Sequence, residues 1–149
     1  MSLTRRHMLA STMGIVACAV ALLAPKHTRV ADEAEDFLFR LTGRKATPSN
    51  RLRLVMPAEF STGYTVPMSI SVDSPMTGAD HVKSVRVFAP KNPLVEVAKF
   101  HFVPGRSLPR VSTRVRLAAP QQVVALAEMS NGNLLMAKAW VAVATNGCL

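Results

Sequence analysis

From residue 51 onward, apolar and polar residues alternate with a period of two, and the alternation is broken every eight to twelve residues by a turn-forming cluster. Successive side chains of an extended strand point to opposite faces, so this pattern suits a strand with one face on a core and is incompatible with a helical stripe of period 3.6. Seven segments carry it or are rich in Val and Leu: 51–56, 64–72, 81–89, 95–103, 111–117, 121–128 and 134–145. Between them lie Ser74-Pro75, Asn92-Pro93, Pro104-Gly105 and Asn131-Gly132. Proline and glycine cannot continue a central strand without loss of a hydrogen bond or of conformational order. Asn-Gly accepts the positive φ angles of a tight hairpin, so the last two strands are expected to pair directly. Seven short strands at this spacing predict an all-β fold, an immunoglobulin-like antiparallel β-sandwich.

Ahead of the strands, residues 32–43 carry acids first, apolar residues next and Gly43 as a stop, which predicts a short helix. Further upstream, Arg5 and Arg6 precede an uncharged apolar run from Met8 to Ala24. A charged segment followed by an apolar one of this length is the layout of a secretory signal, and the paired arginines resemble the twin-arginine export signal. A membrane anchor is the alternative, because about 17 apolar residues sit at the short limit for a spanning helix. Export without stable membrane insertion is the expectation. Ile15-Val16-Ala17-Cys18 also resembles a lipidation site, although the apolar run continues past Cys18. The expected division is 1–31 signal segment, 32–50 helix and linker, 51–145 sandwich and 146–149 a C-terminal arm.

Charge narrows the class of partner. The chain holds 18 Lys and Arg against 9 Asp and Glu, a net charge of +9. Four of the cations, Arg5, Arg6, Lys26 and Arg29, precede Asp32, leaving 14 against 9 in the remainder. That remainder has no basic run longer than two and few aromatic side chains to stack on bases, so no nucleic-acid partner is expected.

The two cysteines are Cys18, in the leader, and Cys148. Loss of the leader beyond Cys18 leaves one thiol, which in an oxidising compartment must pair between chains, react with another molecule, or be buried. Thr145, Asn146 and Gly147 are poor core residues, so Cys148 points to chemistry.

Catalytic signatures are missing: there is no nucleophile elbow, zinc-protease helix or phosphate-binding glycine loop. His81 and His101, with Asp73, Asp80, Glu59, Glu96 and Glu128, are scattered along strands or turns without metal-ligand spacing, and the histidines are read as solvated or core-edge residues. Met56, Met68, Met76, Met129 and Met136 do not cluster and are read as core filler. No catalytic residue, metal site or cofactor is expected.

Several motifs taken in order resemble the SoxY family of bacterial thiosulfate oxidation. They are Gly63-Tyr64-Thr65-Val66-Pro67-Met68, Ser74-Pro75-Met76 with Asp80-His81-Val82, and Asn92-Pro93. Val111-Ser112-Thr113-Arg114-Val115-Arg116-Leu117 and Gln122-Val123-Val124-Ala125-Leu126-Ala127-Glu128 follow, and Cys148 closes the series. The resemblance implies a sandwich with a swinging C-terminal arm, Gly-Gly-Cys-Gly-Gly, whose cysteine carries sulfur covalently while separate enzymes act on it. It implies a periplasmic, non-catalytic carrier paired with a second sandwich subunit, SoxZ. Its other partners would be a haem c enzyme, a sulfate-releasing hydrolase and a sulfur dehydrogenase. Cys148 would be the attachment residue, and Asn146, Gly147 and Leu149 the arm around it.

Cys148 is the fourth residue after Ala144, a span of about 13 Å when extended. Gly147 removes bulk beside the thiol and permits positive φ. Asn146 stands where the first glycine would be, a mild change because asparagine tolerates left-handed backbone. Leu149 replaces the second glycine pair, adding bulk and bringing a carboxylate near the thiol, which is expected to disfavour the thiolate. Arg114 and Arg116 are read either as guides for anionic cargo or as ordinary outward strand residues. An exported structural or adhesion-type sandwich, with Cys148 in an interchain disulfide, is the alternative function. An autonomous redox enzyme would need a resolving cysteine that the mature chain lacks.

Overall fold

The computed structural model describes residues 27–144, with side chains from Ala34 onward. A helix, α1 (His27–Thr42), leads into two sheets. The larger contains β5 (Val82–Phe88), β6 (Glu96–His101), β8 (Gln121–Met129) and β9 (Leu134–Val143), in the order β9-β8-β5-β6. The smaller is β2 (Leu52–Val55), β4 (Val66–Val72) and β7 (Arg110–Val115), in the order β2-β4-β7. All seven correspond to the segments expected from alternation, and all pair antiparallel. Burial follows the pleat: in β4, Val66, Met68, Ile70 and Val72 are buried while Pro67 and Ser69 are exposed.

The core lies between the sheets, where Val66, Met68 and Ile70 of the smaller sheet meet Val85, Val87, Val123, Ala125, Ala127 and Val141 of the larger. β8 is the exception to alternation, with Val123 through Ala127 all buried. The cause is α1, which covers the outer face of the larger sheet. Ala34 and Leu38, one turn apart on the same helix face, pack on Phe88, Val124, Leu126 and Met136. Phe37 meets Phe88 edge-on, with ring centroids 6.0 Å apart. A strand covered on both faces reads as a continuous apolar run, and the Val-Val-Ala-Leu-Ala of β8 is such a run.

Two details differ from the sequence expectation. The helix spans 27–42 rather than 32–43, so its acids fall in the second and third turns. No glycine or proline interrupts the chain between His27 and Gly43, so nothing local prevents helix propagation on the N-terminal side of Asp32. It ends as expected: Gly43, at φ +67°, donates its N–H to the Phe39 carbonyl at 2.8 Å.

The second difference is a pair of two-residue strands, β1 (Thr47–Pro48) and β3 (Glu59–Phe60), both parallel to β9. They occupy the two ends of its free edge, β1 at Leu135–Met136 and β3 at Ala142–Val143. The Asn131-Gly132 hairpin joins β8 to β9 as expected. Gly132 adopts φ +85°, Met129 N–H donates to the Asn133 carbonyl at 2.9 Å, and the Asn131 side chain accepts from Asn133 N–H.

Candidate functional site at the end of the last strand

Cys148, Asn146, Gly147 and Leu149, like Arg5, Arg6 and Cys18, lie outside the described residues. What the structure describes is the base from which residues 145–149 depart. β9 is gripped on both edges there. On one side Gln121 and Gln122 of β8 lie opposite Val141 and Trp140. On the other, Ala142 N–H donates to the Ala58 carbonyl at 2.8 Å and Ala144 N–H to the Phe60 carbonyl at 3.3 Å. Val143 is buried. The end of β9 is therefore a fixed base.

Three connections converge on this end of the sandwich, and a buried amide holds two of them. Gln121, only 1% exposed, accepts the Lys91 N–H at 2.8 Å and donates to Asn92 Oδ1 at 3.0 Å and to the Ala119 carbonyl at 3.2 Å. Asn92 in turn accepts the Ala118 N–H at 2.8 Å and donates to the Arg116 carbonyl at 2.7 Å. The loop after β5 is thereby tied to the loop between β7 and β8. Burying a primary amide is costly unless its donors and acceptor are matched, and here they are.

The third connection, between β3 and β4, closes against the second. Gly63 accepts the Leu117 N–H at 2.7 Å. A Cβ at Gly63 would fall far inside contact with the Leu117 carbonyl oxygen and 3.7 Å from Val143 Cγ2, so glycine is required by close backbone approach. Beside this contact in sequence, the Arg116 Cζ lies over the Tyr64 ring, 4.7 Å from its centroid. On the outer face of the larger sheet, Trp140 is 56% exposed, with Lys91 Nζ 6.0 Å from its ring centroid and donating to the Pro120 carbonyl at 2.8 Å.

The remaining candidates are scattered. His101 is exposed, and His81 Nδ1 lies 3.0 Å from the Thr77 carbonyl. Among the described residues no three His, Cys, Asp or Glu side chains are grouped so as to hold a metal ion. Met68, Met76, Met129 and Met136 are buried in the core. Sequence reasoning missed the Asn92–Gln121 network, reading Asn92-Pro93 as a turn and a family motif and Gln121 as a strand start. A polar residue opening an otherwise apolar strand was the available signal. Among the described residues no helix is long and apolar enough to cross a membrane.

The sulfur oxidation protein SoxY family matches residues 39–148, a stretch that includes both the sandwich and Cys148. The structure of the sulfur carrier protein SoxY from Chlorobium limicola f thiosulfatophilum is similar at a TM-score of 0.60 and 25% identity, covering 76% of this chain and 98% of that one. Superoxide reductase (neelaredoxin) from Ignicoccus hospitalis shares the fold at a TM-score of 0.57 and 17% identity, over 62% of this chain and 79% of that one. A putative superoxide reductase from Thermotoga maritima does so at 0.55 and 21%, over 62% and 85%. At those identities the two reductases are evidence of architecture alone. No curated protein matches the chain. With the family match spanning most of the chain and agreeing with the fold, this protein belongs to the SoxY family of sulfur-oxidation carrier proteins.

Proposed function

We propose that this protein is a periplasmic carrier that holds sulfur intermediates covalently on Cys148 during thiosulfate oxidation. The observation that carries the reading is the family match extending through residue 148. Arg5 and Arg6, ahead of an apolar run, support export. The firmly hydrogen-bonded end of β9 supports a short arm over residues 145–149, because a tether delivers its cargo within a defined radius only if its base is fixed.

The chemistry assigned to partners balances as follows. The Cys148 thiol and thiosulfate join through a new S–S bond, releasing one proton and two electrons to a haem c enzyme. Water then cleaves the terminal S–S bond of the adduct, giving sulfate, one proton and a persulfide on Cys148. A sulfur dehydrogenase takes six electrons from the outer persulfide sulfur, with three waters supplying oxygen and seven protons released, to leave a cysteine S-sulfonate; hydrolysis of its S–S bond then gives a second sulfate, one proton and the free Cys148 thiol. A SoxZ-like sandwich subunit is the proposed stable partner. The protein itself supplies attachment and reach.

Intact mass spectrometry of protein isolated from thiosulfate-grown cells, beside a Cys148→Ser variant, tests this. Sulfur-containing mass additions confined to the unmodified sequence are expected. An unmodified thiol, or only a disulfide-linked dimer, would overturn the carrier reading in favour of a structural sandwich. Failure to co-purify with a SoxZ-like subunit would remove the partner assignment.

A further inference from the structure

We infer that Arg116, braced by Tyr64, is a docking residue for the anionic sulfur group carried on Cys148. This rests on the carrier reading above and adds to it a recognition site on the folded body of the protein.

The argument begins with position. Gly63 is hydrogen-bonded to Leu117, a Cβ placed on it would come within 3.7 Å of Val143 Cγ2, and Tyr64 and Arg116 are the sequence neighbours of Gly63 and Leu117. The Arg116–Tyr64 pair therefore sits at the end of the sandwich from which residues 145–149 depart. Cys148 is the fourth residue after Ala144, a reach of about 13 Å, so the cargo can return to this end.

Charge and availability come next. Arg116 is exposed, and its guanidinium has neither a carboxylate nor a hydrogen-bond acceptor as partner among the described residues. The Arg116 Cζ lies 4.7 Å from the Tyr64 ring centroid, a cation–π contact that gives the guanidinium N–H donors no oxygen or nitrogen acceptor. A planar fork held in this way suits an oxyanion with two accepting oxygens, and the terminal sulfonate of a cysteine-bound thiosulfate is such a group. Lys91, another cation at this end, already donates to the Pro120 carbonyl beside Trp140. Arg114 lies on the outer face of the smaller sheet opposite Pro67, further from Val143 along the strand. Glu59, opposite Ala142, is the acid nearest in register to the end of β9 and leaves the local balance positive.

Tetrathionate provides a defined probe. The Cys148 thiolate attacks a central sulfur, forming the cysteine-bound thiosulfate and expelling thiosulfate, with no external oxidant. The loading rate with this dianion is compared with that of neutral 4,4′-dithiodipyridine, for the unmodified protein and for Arg116→Gln, Arg116→Lys and Arg114→Gln. Loss of one positive charge near the thiol is expected to slow tetrathionate by about 3- to 10-fold at low salt, less at physiological salt. The neutral reagent should be unaffected, Arg116→Lys should retain most of the rate, and Arg114→Gln should change it less. In the unmodified protein, the Arg116 Nε–H resonance should shift on loading with tetrathionate and not in Cys148→Ser. Equal rate ratios for Arg116→Gln and the parent, with an unmoved Arg116 resonance, would overturn the inference while leaving the carrier reading intact. A Cys148 inert to both reagents would instead remove the reading on which it rests.

Discussion

Gly63→Ala isolates the close contact between the chain before β4 and the chain after β7, beside the end of β9. The φ of Gly63 is not in the left-handed region, so alanine there meets no backbone penalty. At such a site the substitution ordinarily stabilises a protein by about 0.4–1 kcal/mol through loss of unfolded-state entropy. Here the added Cβ collides with the Leu117 carbonyl oxygen and approaches its carbonyl carbon to 3.2 Å. Restoring a normal separation of about 3.5 Å requires the two backbones to part by roughly 1 Å or more. The 2.7 Å bond from Leu117 N–H to the Gly63 carbonyl cannot survive that movement. Leu117 is buried, so its N–H loses a partner that water cannot replace. An unsatisfied buried donor costs about 1–3 kcal/mol and the lost bond about 1 kcal/mol, offset only in part by the entropic gain. The net expectation is destabilisation of about 1–3.5 kcal/mol, seen in urea titration as a lower midpoint at unchanged slope. Gly78→Ala is the control: its Cβ meets nothing within 4 Å and its φ is not positive, so stability should be unchanged or slightly higher. A Gly63→Ala protein as stable as the parent would refute the close-approach argument.

Other substitutions probe the remaining supports of the site. Leu38→Ala removes a fully buried side chain from the interface of α1 with the larger sheet, and should cost about 2–5 kcal/mol in the same titration; a loss under 1 kcal/mol would mean that the helix is not docked. Gln121→Leu keeps the volume but orphans the Lys91 N–H and the Ala119 carbonyl, predicting a loss of about 2–4 kcal/mol with faster amide exchange at Lys91 and Ala118; unchanged exchange would show that the network does not hold these loops.

How much of this was legible beforehand can be traced through particular residues. Alternation in β4, where Val66, Met68, Ile70 and Val72 face one way, is a local property of extended chain and identified the strand without reference to its neighbours. The same holds for the Asn131-Gly132 hairpin and the Gly43 helix stop, whose conformations follow from side chains within a few residues. The start of the helix was misplaced because the acids were taken as its first turn. The two-residue strands β1 and β3 were invisible for a different reason. Two residues carry no period, and their partners on β9 lie more than eighty residues away.

The amino-acid sequence by itself determined the all-β class, the number and approximate limits of the seven main strands, the family resemblance and the choice of Cys148. Each of these depends on residue type and short-range spacing. Only the tertiary structure decided that α1 covers β8, that β3 clamps the end of β9, and that Asn92, Gln121, Gly63, Tyr64 and Arg116 meet at that end. Those meetings arise from antiparallel registers and burial of the two sheet faces, which bring distant residues together, and no local pattern records a contact between segments whose separation along the chain is set by the whole fold.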